Sequence, residues 1–565
     1  MRRTWKPWAV ALVLAVAGAS MLVKAQQPAS AQGSGAADIV LTGGKVITVD
    51  EKFSIAQAVA IRGDRIVAVG TNQQINALAG PSTRRIDLRG RALMPGFIDN
   101  HAHYQEEGAY WTEELRLDGI DTRKEAWAKI QARAKQRGPN VWIYTLGGWA
   151  PDQFRDDSSL PTRDELDKIA PNNPVFLQFT REAYYLNSKA IEMTGMEKMT
   201  DAAIRRDASG RATGIVDGDA VGGRLRNAAG FLKALPKDIF ESSSFTMLRD
   251  FAMAGLTSSA GGCQYENEYR QWITQGKAMP MRFFCFRTAP GGQGRTVDQQ
   301  IADIPKLKYF DGDAWIDHVN WGERFVNITD NVYDTKPTGT PEQWNEWGRY
   351  AKAVAQAGIP VMIHTTMEWT IEEQLKQVEA FAKEVPVRGK RWTFMHMEQV
   401  TQNQLDRMKA LGMWIAIHPR GVISGAAFVR RHGERGYAMP NLKMVQDSGI
   451  HWGFGTDAFE VNQFRPFTTL GWAVTGRIIG NGPITMKYPI SREDALIAHT
   501  RNNSYFVNHE NDLGSIAPGK LADLFIADKD YLTVPAEEIR TIKSVMTIVG
   551  GRVVYDAAAP ATGTR

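Results

Sequence analysis

The stretch Pro95-Gly96-Phe97-Ile98-Asp99-Asn100-His101-Ala102-His103 runs from a proline–glycine turn through a short apolar strand into a His-x-His pair. Strand side chains two residues apart project from the same face, so both imidazoles reach one point at the strand's C-terminal end. Alone, such a pair is a weak signal. The arrangement recurs, however, at three further strand ends. His364 closes Val361-Met362-Ile363, His396 closes Trp392-Thr393-Phe394-Met395, and Asp457 follows Phe454-Gly455-Thr456. Of 10 histidines in the chain, these four stand with one carboxylate at the ends of apolar strands. Each alone suits a hydrogen-bonded core residue. Together they describe a divalent-metal site, imidazole and carboxylate being the ligands Zn²⁺ or a similar ion takes.

Outward from these motifs, short apolar strands (174–179, 281–286, 358–363, 391–395, 412–417, 449–454) alternate with helical patterns such as 341–357, which opens on a helix-favouring proline. Strand–helix alternation predicts a parallel sheet, and at this length an α/β (β/α)₈ TIM-like barrel over 97–512 whose C-terminal rim carries the chemistry. A doubly wound open sheet is the second choice, disfavoured because no Gly-rich nucleotide loop follows a strand. Residues 38–96 read as strands joined by glycine turns, with hairpins over 38–49 at Gly43-Gly44 and over 58–69 at Gly63-Asp64. The pattern returns at Gly550-Gly551. The expectation is one small β-sandwich domain made from both chain termini, 38–96 plus 513–557.

The chain has 565 residues, 67 Lys+Arg, 62 Asp+Glu and a net charge of +5. Its 43% hydrophobic and 23% charged residues exclude disorder, collagen and a multi-span membrane protein. Arg2, Arg3 and Lys6 precede sixteen uncharged residues, 8–23, and the small-residue sites Val23-Lys24-Ala25 and Ala29-Ser30-Ala31. This is the pattern of a signal peptide over 1–31, too short for the ~20 residues of a spanning helix. Arg2-Arg3 is a weak mark of twin-arginine export. The expectation is an exported protein, periplasmic or secreted, with no stable membrane span after cleavage. Removing Arg2, Arg3, Lys6 and Lys24 takes the net charge from +5 to +1, which implies no nucleic-acid partner and is silent on oligomeric state. The two cysteines, Cys263 and Cys285, allow at most one bridge and are read as buried thiols.

The motifs resemble the amidohydrolase superfamily, and within it the amidohydrolase-3 branch that includes N-substituted formamide deformylases. The resemblance spans nearly the whole mature chain. It lies in Leu93 to His103, Gly147-Gly148-Trp149, Pro161 to Asp167, Asn187 to Ala190, Gly455-Thr456-Asp457, Gly514 to Leu524 and Thr547 to Tyr555. It implies a metal-bearing barrel, a terminal sandwich and hydrolysis of a C–N bond. By this resemblance His101 and His103 match first-strand ligands, and His364 and His396 match fifth- and sixth-strand ligands. Asp457 matches the eighth-strand aspartate that binds metal and serves as general base and acid.

Two departures stand out. Relatives often carry a carbamylated fourth-strand lysine that bridges two metals, whereas here Glu323 falls on that position, in Trp321-Gly322-Glu323-Arg324. Glu323 either bridges two ions or pairs with Arg324 beside one. Thr180-Arg181-Glu182-Ala183-Tyr184 also replaces a segment that commonly holds a pocket histidine, and Thr365 to Glu368 replaces Ala-x-Gly-Asp. With 16 Trp, 15 Tyr and 23 Phe, the chain is expected to line its pocket with aromatics and an arginine available to a carboxylate. The candidates are Tyr104, Trp111, Trp149, Arg181, Glu182, Tyr184, Trp321, Arg324, Trp369 and Phe459. The remaining histidines lack supporting context, although His418 ends strand 413–417 and is free to face the pocket.

The expectation is a metal-dependent hydrolase that cleaves an amide-like, non-peptide C–N bond of a small molecule through metal-activated hydroxide, with one or two divalent ions, Zn²⁺ foremost. The alternatives are hydrolysis of an ester, lactone or carbamate, and a catalytically weak barrel that only binds a small molecule.

Overall fold

The computed structural model describes residues 35–289, 295–326, 328, 330, 332 and 337–559. The segment read as a signal peptide, 1–31, lies outside them. Among the described residues no helix is long and apolar enough to cross a membrane.

Eight parallel strands organise the molecule: β1 (Phe97–Asp99), β2 (Leu256–Gly261), β3 (Arg282–Phe286), β4 (Ile316–Asn320), β5 (Val361–Thr365), β6 (Trp392–His396), β7 (Trp414–Ile417) and β8 (Trp452–Phe454). They form two four-stranded sheets, in the orders β4-β3-β2-β1 and β5-β6-β7-β8. Every residue of β5 and β6 is buried, as strands covered on both faces require. Between β4 and β5 the Trp321 N–H donates to Pro360 O and the Met362 N–H to Trp321 O, both at 2.8 Å. Beyond β8, the Asp457 N–H donates to His101 O at 2.8 Å and the His103 N–H to Ala458 O at 2.9 Å. Asp99, at the end of β1, accepts from Thr456 N–H at 2.9 Å and Thr456 Oγ1 at 2.6 Å, so one buried carboxylate locks two strand ends together. The helix Pro341–Gln356 starts where its proline indicates, behind a capping box of Thr340 and Gln343.

Strand 174–179 departs from expectation. Val175–Phe179 turns back at once and pairs antiparallel with Ala183–Leu186. It belongs to a separate five-stranded sheet, an excursion between β1 and β2 that carries Trp149, Arg181, Glu182 and Tyr184.

Strands from the two ends of the chain share one six-stranded sheet, in which Leu524–Ala527 lies between Ser544–Val549 and Ala92–Pro95. A four-stranded sheet of Ala37–Thr42, Ala58–Arg62, Arg65–Gly70 and Ala79–Asp87 packs on it through Leu41, Ile61, Leu93, Leu524 and Ile548. Gly43-Gly44 makes no hairpin. Ala37–Thr42 and Lys45–Ile47 lie in different sheets, and the glycines serve close approach: a Cβ on Gly44 would stand 2.5 Å from Leu88 Cβ. The two terminal sheets are tied to the parallel strands by a buried ion pair, Arg282 of β3 donating to Asp523 from Nε at 2.7 Å and Nη2 at 2.9 Å.

The cysteines are corrected as well. Cys263 and Cys285 are joined in a disulfide, with Cα atoms 5.5 Å apart. Parallel pairing of Gly261 with Cys285 brings the end of β3 beside the chain leaving β2, a proximity that a sequence separation of 22 hides.

Candidate metal centre

All the candidate ligands lie just past, or at the end of, a parallel strand: His101 and His103 after β1, Glu323 after β4, His364 in β5, His396 closing β6 and Asp457 after β8. The His101, His103 and Asp457 side chains form one cluster of donors, and those of Glu323, His364 and His396 a second. Glu323 joins them. Its Oε1 faces His101 Nε2 at 3.1 Å and His103 Nε2 at 3.6 Å, while its Oε2 faces His364 Nδ1 at 3.6 Å. Asp457 Oδ1 stands 3.4 Å from His101 Nε2 and 3.3 Å from His103 Nε2, and Asp457 Oδ2 lies 3.7 Å from His396 Nδ1. Ligands held at 2.0–2.2 Å around a tetrahedral ion stand roughly 3.3–3.6 Å apart, so these spacings fit a metal-binding set. The buried His101 Nδ1 and Nε2 and His396 Nε2 have no hydrogen-bond partner, and His101 Nε2 and His396 Nε2 suit a cation. His396 and Asp457 both hold left-handed backbone, with φ of 76° and 54°, a strain worth about 1–3 kcal/mol each that collects at functional sites.

The electrostatics are divided. Burial works against charge on His101 and His103, yet Glu323 and Asp457 hold both imidazoles above their ordinary value. His364, against the same burial penalty, is pushed up to about 9 by Asp330 and Glu323. Burial, with Arg420 and His364 nearby, drives His396 well below its usual value. Burial opposes ionisation of Glu323 and Asp457 too, but His101 holds the first carboxyl, and Arg420 and His396 the second, well below the carboxylate range. A divalent ion requires neutral imidazoles and ionised carboxylates, so its binding would displace the protons that the carboxylates favour on His101, His103 and His364.

Several neighbours went unrecognised in the sequence. Arg420 donates to Asp457 Oδ2 from Nη2 at 2.7 Å and lies 3.5 Å from the buried Glu398. Burial pushes the Glu398 carboxyl up to about 7. Asp330 accepts at Oδ2 from the Met367 N–H at 2.6 Å, and its carbonyl lies 3.0 Å from His364 Nε2. His418, noted only as able to face the pocket, packs against His396 with their Nδ1 atoms 2.8 Å apart. The segment His418-Pro419-Arg420 directly follows β7, and that position at the catalytic rim was the available signal.

A cavity of about 540 Å³ opens onto the cluster, lined among others by His103, Glu107, Arg181, Arg324, Arg420, Phe459 and Glu460. It is predominantly polar, which corrects the aromatic pocket. Trp149 is fully buried, donating from Nε1 to Gln178 O at 2.8 Å and Thr145 Oγ1 at 3.0 Å. Tyr104 is buried and donates to Asp99 Oδ2 at 2.5 Å. Tyr184 is buried and donates to Asp219. Trp321 is packed against Phe325 and Tyr350. Trp111 lies under Arg116, Trp369 does not line the cavity, and Glu182 lines an adjoining one with Tyr185 and Asp217. These side chains were placed at the rim by position along the chain, but the excursion sheet and the loop cores absorb most of them. Arg181 and Phe459 do line the cavity, although Arg181 is engaged by Glu460 at 2.5 Å. Arg324 lines it with its side chain exposed.

Comparison with known proteins agrees with this geometry. N-substituted formamide deformylase of Arthrobacter pascens is 25% identical over 549 residues, covering 92% of this chain and 98% of that protein. Among solved structures, an uncharacterized metal-dependent hydrolase from Pyrococcus furiosus superposes with a TM-score of 0.59 at 21% identity, covering 88% of this chain and all 100% of the other. Atrazine chlorohydrolase TrzN from Arthrobacter aurescens, complexed with zinc, gives 0.53 at 16% identity, covering 93% and 97%. Residues 84–555 match the amidohydrolase family. With the strand-end donor set in place over that same span, the chain belongs to the amidohydrolase family and is a metal-dependent hydrolase of carbon–nitrogen bonds.

Proposed function

We propose that the enzyme hydrolyses a non-peptide, amide-like C–N bond of a small polar molecule at a binuclear Zn²⁺ site bridged by Glu323. The observation that carries this reading is the two-faced Glu323 carboxylate, with one oxygen toward His101 and His103 and the other toward His364. In this reading His101, His103 and Asp457 hold one ion, and His364 and His396 the other. When bound, the ions supply Lewis-acid polarisation of the scissile carbonyl and lower the pKa of water at the site. Asp457 takes a proton from the attacking water and returns it to the leaving nitrogen. Arg420 orients that carboxylate, and the polar cavity orients the substrate. A volume of about 540 Å³ suits a small molecule. The relative that deformylates N-substituted formamides supports an N-acyl amine as the substrate class.

The eight parallel strands, in this reading, close into a (β/α)₈ barrel through the contacts at Trp321 and Asp457, and the two terminal sheets form a sandwich. Export to the periplasm or beyond is supported by the basic–apolar N-terminus, and by the Cys263–Cys285 disulfide, a bond that persists in oxidising compartments.

The test combines metal analysis of the purified enzyme with hydrolysis assays on N-acyl amines and matched esters. Turnover of amides by a zinc-containing protein, lowered roughly 10²–10⁴-fold in Asp457→Asn, is the expected result. An enzyme that turns over esters alone would refute the substrate class, and a wild type without metal would refute the site.

A further inference from the structure

We infer that Asn503, Asn100 and His418 form a hydrogen-bond relay that fixes the tautomer of His396, so that its Nε2 is presented bare to a divalent cation. The inference rests on the metal site proposed above and concerns residues outside the two donor sets assigned there.

The relay can be followed proton by proton from two atoms whose roles are not negotiable. The backbone carbonyls of Ile98 and Phe454 only accept, and one terminal atom of Asn503 lies 2.5 Å from each. That atom is therefore the amide nitrogen, and the other is the carbonyl oxygen. The oxygen accepts from Asn100 Nδ2 at 3.0 Å, which turns Asn100 Oδ1 toward His418 Nε2 at 2.9 Å. Since Asn100 Oδ1 only accepts, His418 Nε2 carries the hydrogen. A neutral imidazole carries one, so His418 Nδ1 is a lone pair. It faces His396 Nδ1 at 2.8 Å, and His396 must donate there. The remaining nitrogen, His396 Nε2, is left without a hydrogen, and it is the buried atom of that ring with no partner. On the other side of the site, His364 Nε2 donates to the Asp330 carbonyl at 3.0 Å, which turns Nδ1 toward Glu323 Oε2 at 3.6 Å.

A second, independent observation comes from the backbone along which the relay runs. Gly453 and Gly455 lie two residues apart on the chain of β8 and so face the same way. A Cβ on Gly453 would stand 2.1 Å from Asn503 Oδ1, and one on Gly455 would stand 2.3 Å from Asn100 Oδ1 and 2.8 Å from His418 Nε2. The space for the relay is made by the absence of two side chains. All four relay side chains are buried, with Asn503, Asn100 and His418 at 0% exposure and His396 at 1%, so bulk solvent does not compete for these links.

His418, Asn100 and Asn503 are thus positioning residues acting through His396, as outer partners of metal-bound imidazoles do, typically at a cost of 10–100-fold in metal affinity when lost. The test measures Zn²⁺ content and affinity by chelator competition on the full-length protein, with a melting curve of each metal-free variant as the control for folding. His418→Gln keeps an acceptor for His396 and a donor for Asn100, and is expected within about threefold of wild type. His418→Phe removes both and is expected to weaken the second ion roughly 10–100-fold. Asn100→Ala, which breaks the relay without touching either imidazole, is expected to weaken it about tenfold, and it decides the matter if His418→Phe does not fold. Folded variants that bind Zn²⁺ like wild type, or a His418→Gln as weak as His418→Phe, would overturn the relay while leaving the metal site intact. A wild type that binds no Zn²⁺ would overturn both.

Discussion

Arg420 grips one oxygen of Asp457 with two nitrogens, Nε at 3.2 Å and Nη2 at 2.7 Å, and leaves the other oxygen to His101 and His103. The carboxylate is thereby held in a single orientation between a cation and a pair of imidazoles. A charge-assisted hydrogen bond of this kind is worth about 1.5–3 kcal/mol. Arg420→Gln should therefore lower kcat roughly 10–100-fold while metal content stays at the wild-type value. Steady-state kinetics with metal analysis of the same sample checks both halves.

Glu323 is shared by the two donor sets, and its removal should separate them. Glu323→Ala is expected to retain the ion held by His101, His103 and Asp457 and to lose the other. Metal content per chain falls from two to one in that case, and an unchanged content would exclude the bridge.

Arg282 and Asp523 form a buried ion pair between β3 and the terminal sheets, and Asp523 also accepts from the Gly550 N–H at 2.8 Å. Asp523→Ala leaves the guanidinium buried and unpaired, at a cost of about 3–5 kcal/mol. Replacing both partners with apolar residues, Arg282→Met with Asp523→Leu, should recover most of that loss. Urea unfolding of the three variants measures it.

His451 lies against the rings of Trp414, Tyr505 and Phe506, and burial lowers its imidazole to about 4 while Nε2 lies 3.1 Å from Asn502 O. The unfolded chain binds a proton near pH 6.5 that the folded chain refuses until about pH 4, so this group's contribution is complete above 6.5 and declines as pH falls through that window. Its full extent is at most about 3 kcal/mol. His451→Gln, which keeps a donor for Asn502, should flatten the acid side of the stability profile. Thermal melts of both proteins between pH 7.5 and 4.5 would show the difference between them shrink or reverse as pH falls.

The positions of His101, His103, His364, His396 and Asp457 were legible because an apolar run marks where a parallel strand ends, and parallel strands end on one rim. Glu323 was legible by its place after the fourth strand. Arg420 and Glu398 also follow strand ends, but nothing local separates them from other loop residues, and Asp330 lies in a loop with no periodicity to read. Trp149 and Tyr184 were misplaced for a related reason. An antiparallel excursion consumes aromatic residues in its own core, and nothing in composition separates them from pocket residues. Gly43-Gly44 carries the signature of a turn, yet it answers to the Leu88 side chain in another strand, a long-range contact invisible in a local pattern.

Because Leu524–Ala527 lies between Ala92–Pro95 and Ser544–Val549 in one sheet, one early strand waits on one side for the last. Ala92–Pro95 can pair early with Lys45–Ile47, but a ribosome must deliver nearly the whole chain before its other neighbour arrives, and until then that edge stays open to wrong partners. Assembly is therefore a late, post-synthetic event. Loss of the final strands should be felt first as poor yield of soluble protein, before any catalytic defect can be measured.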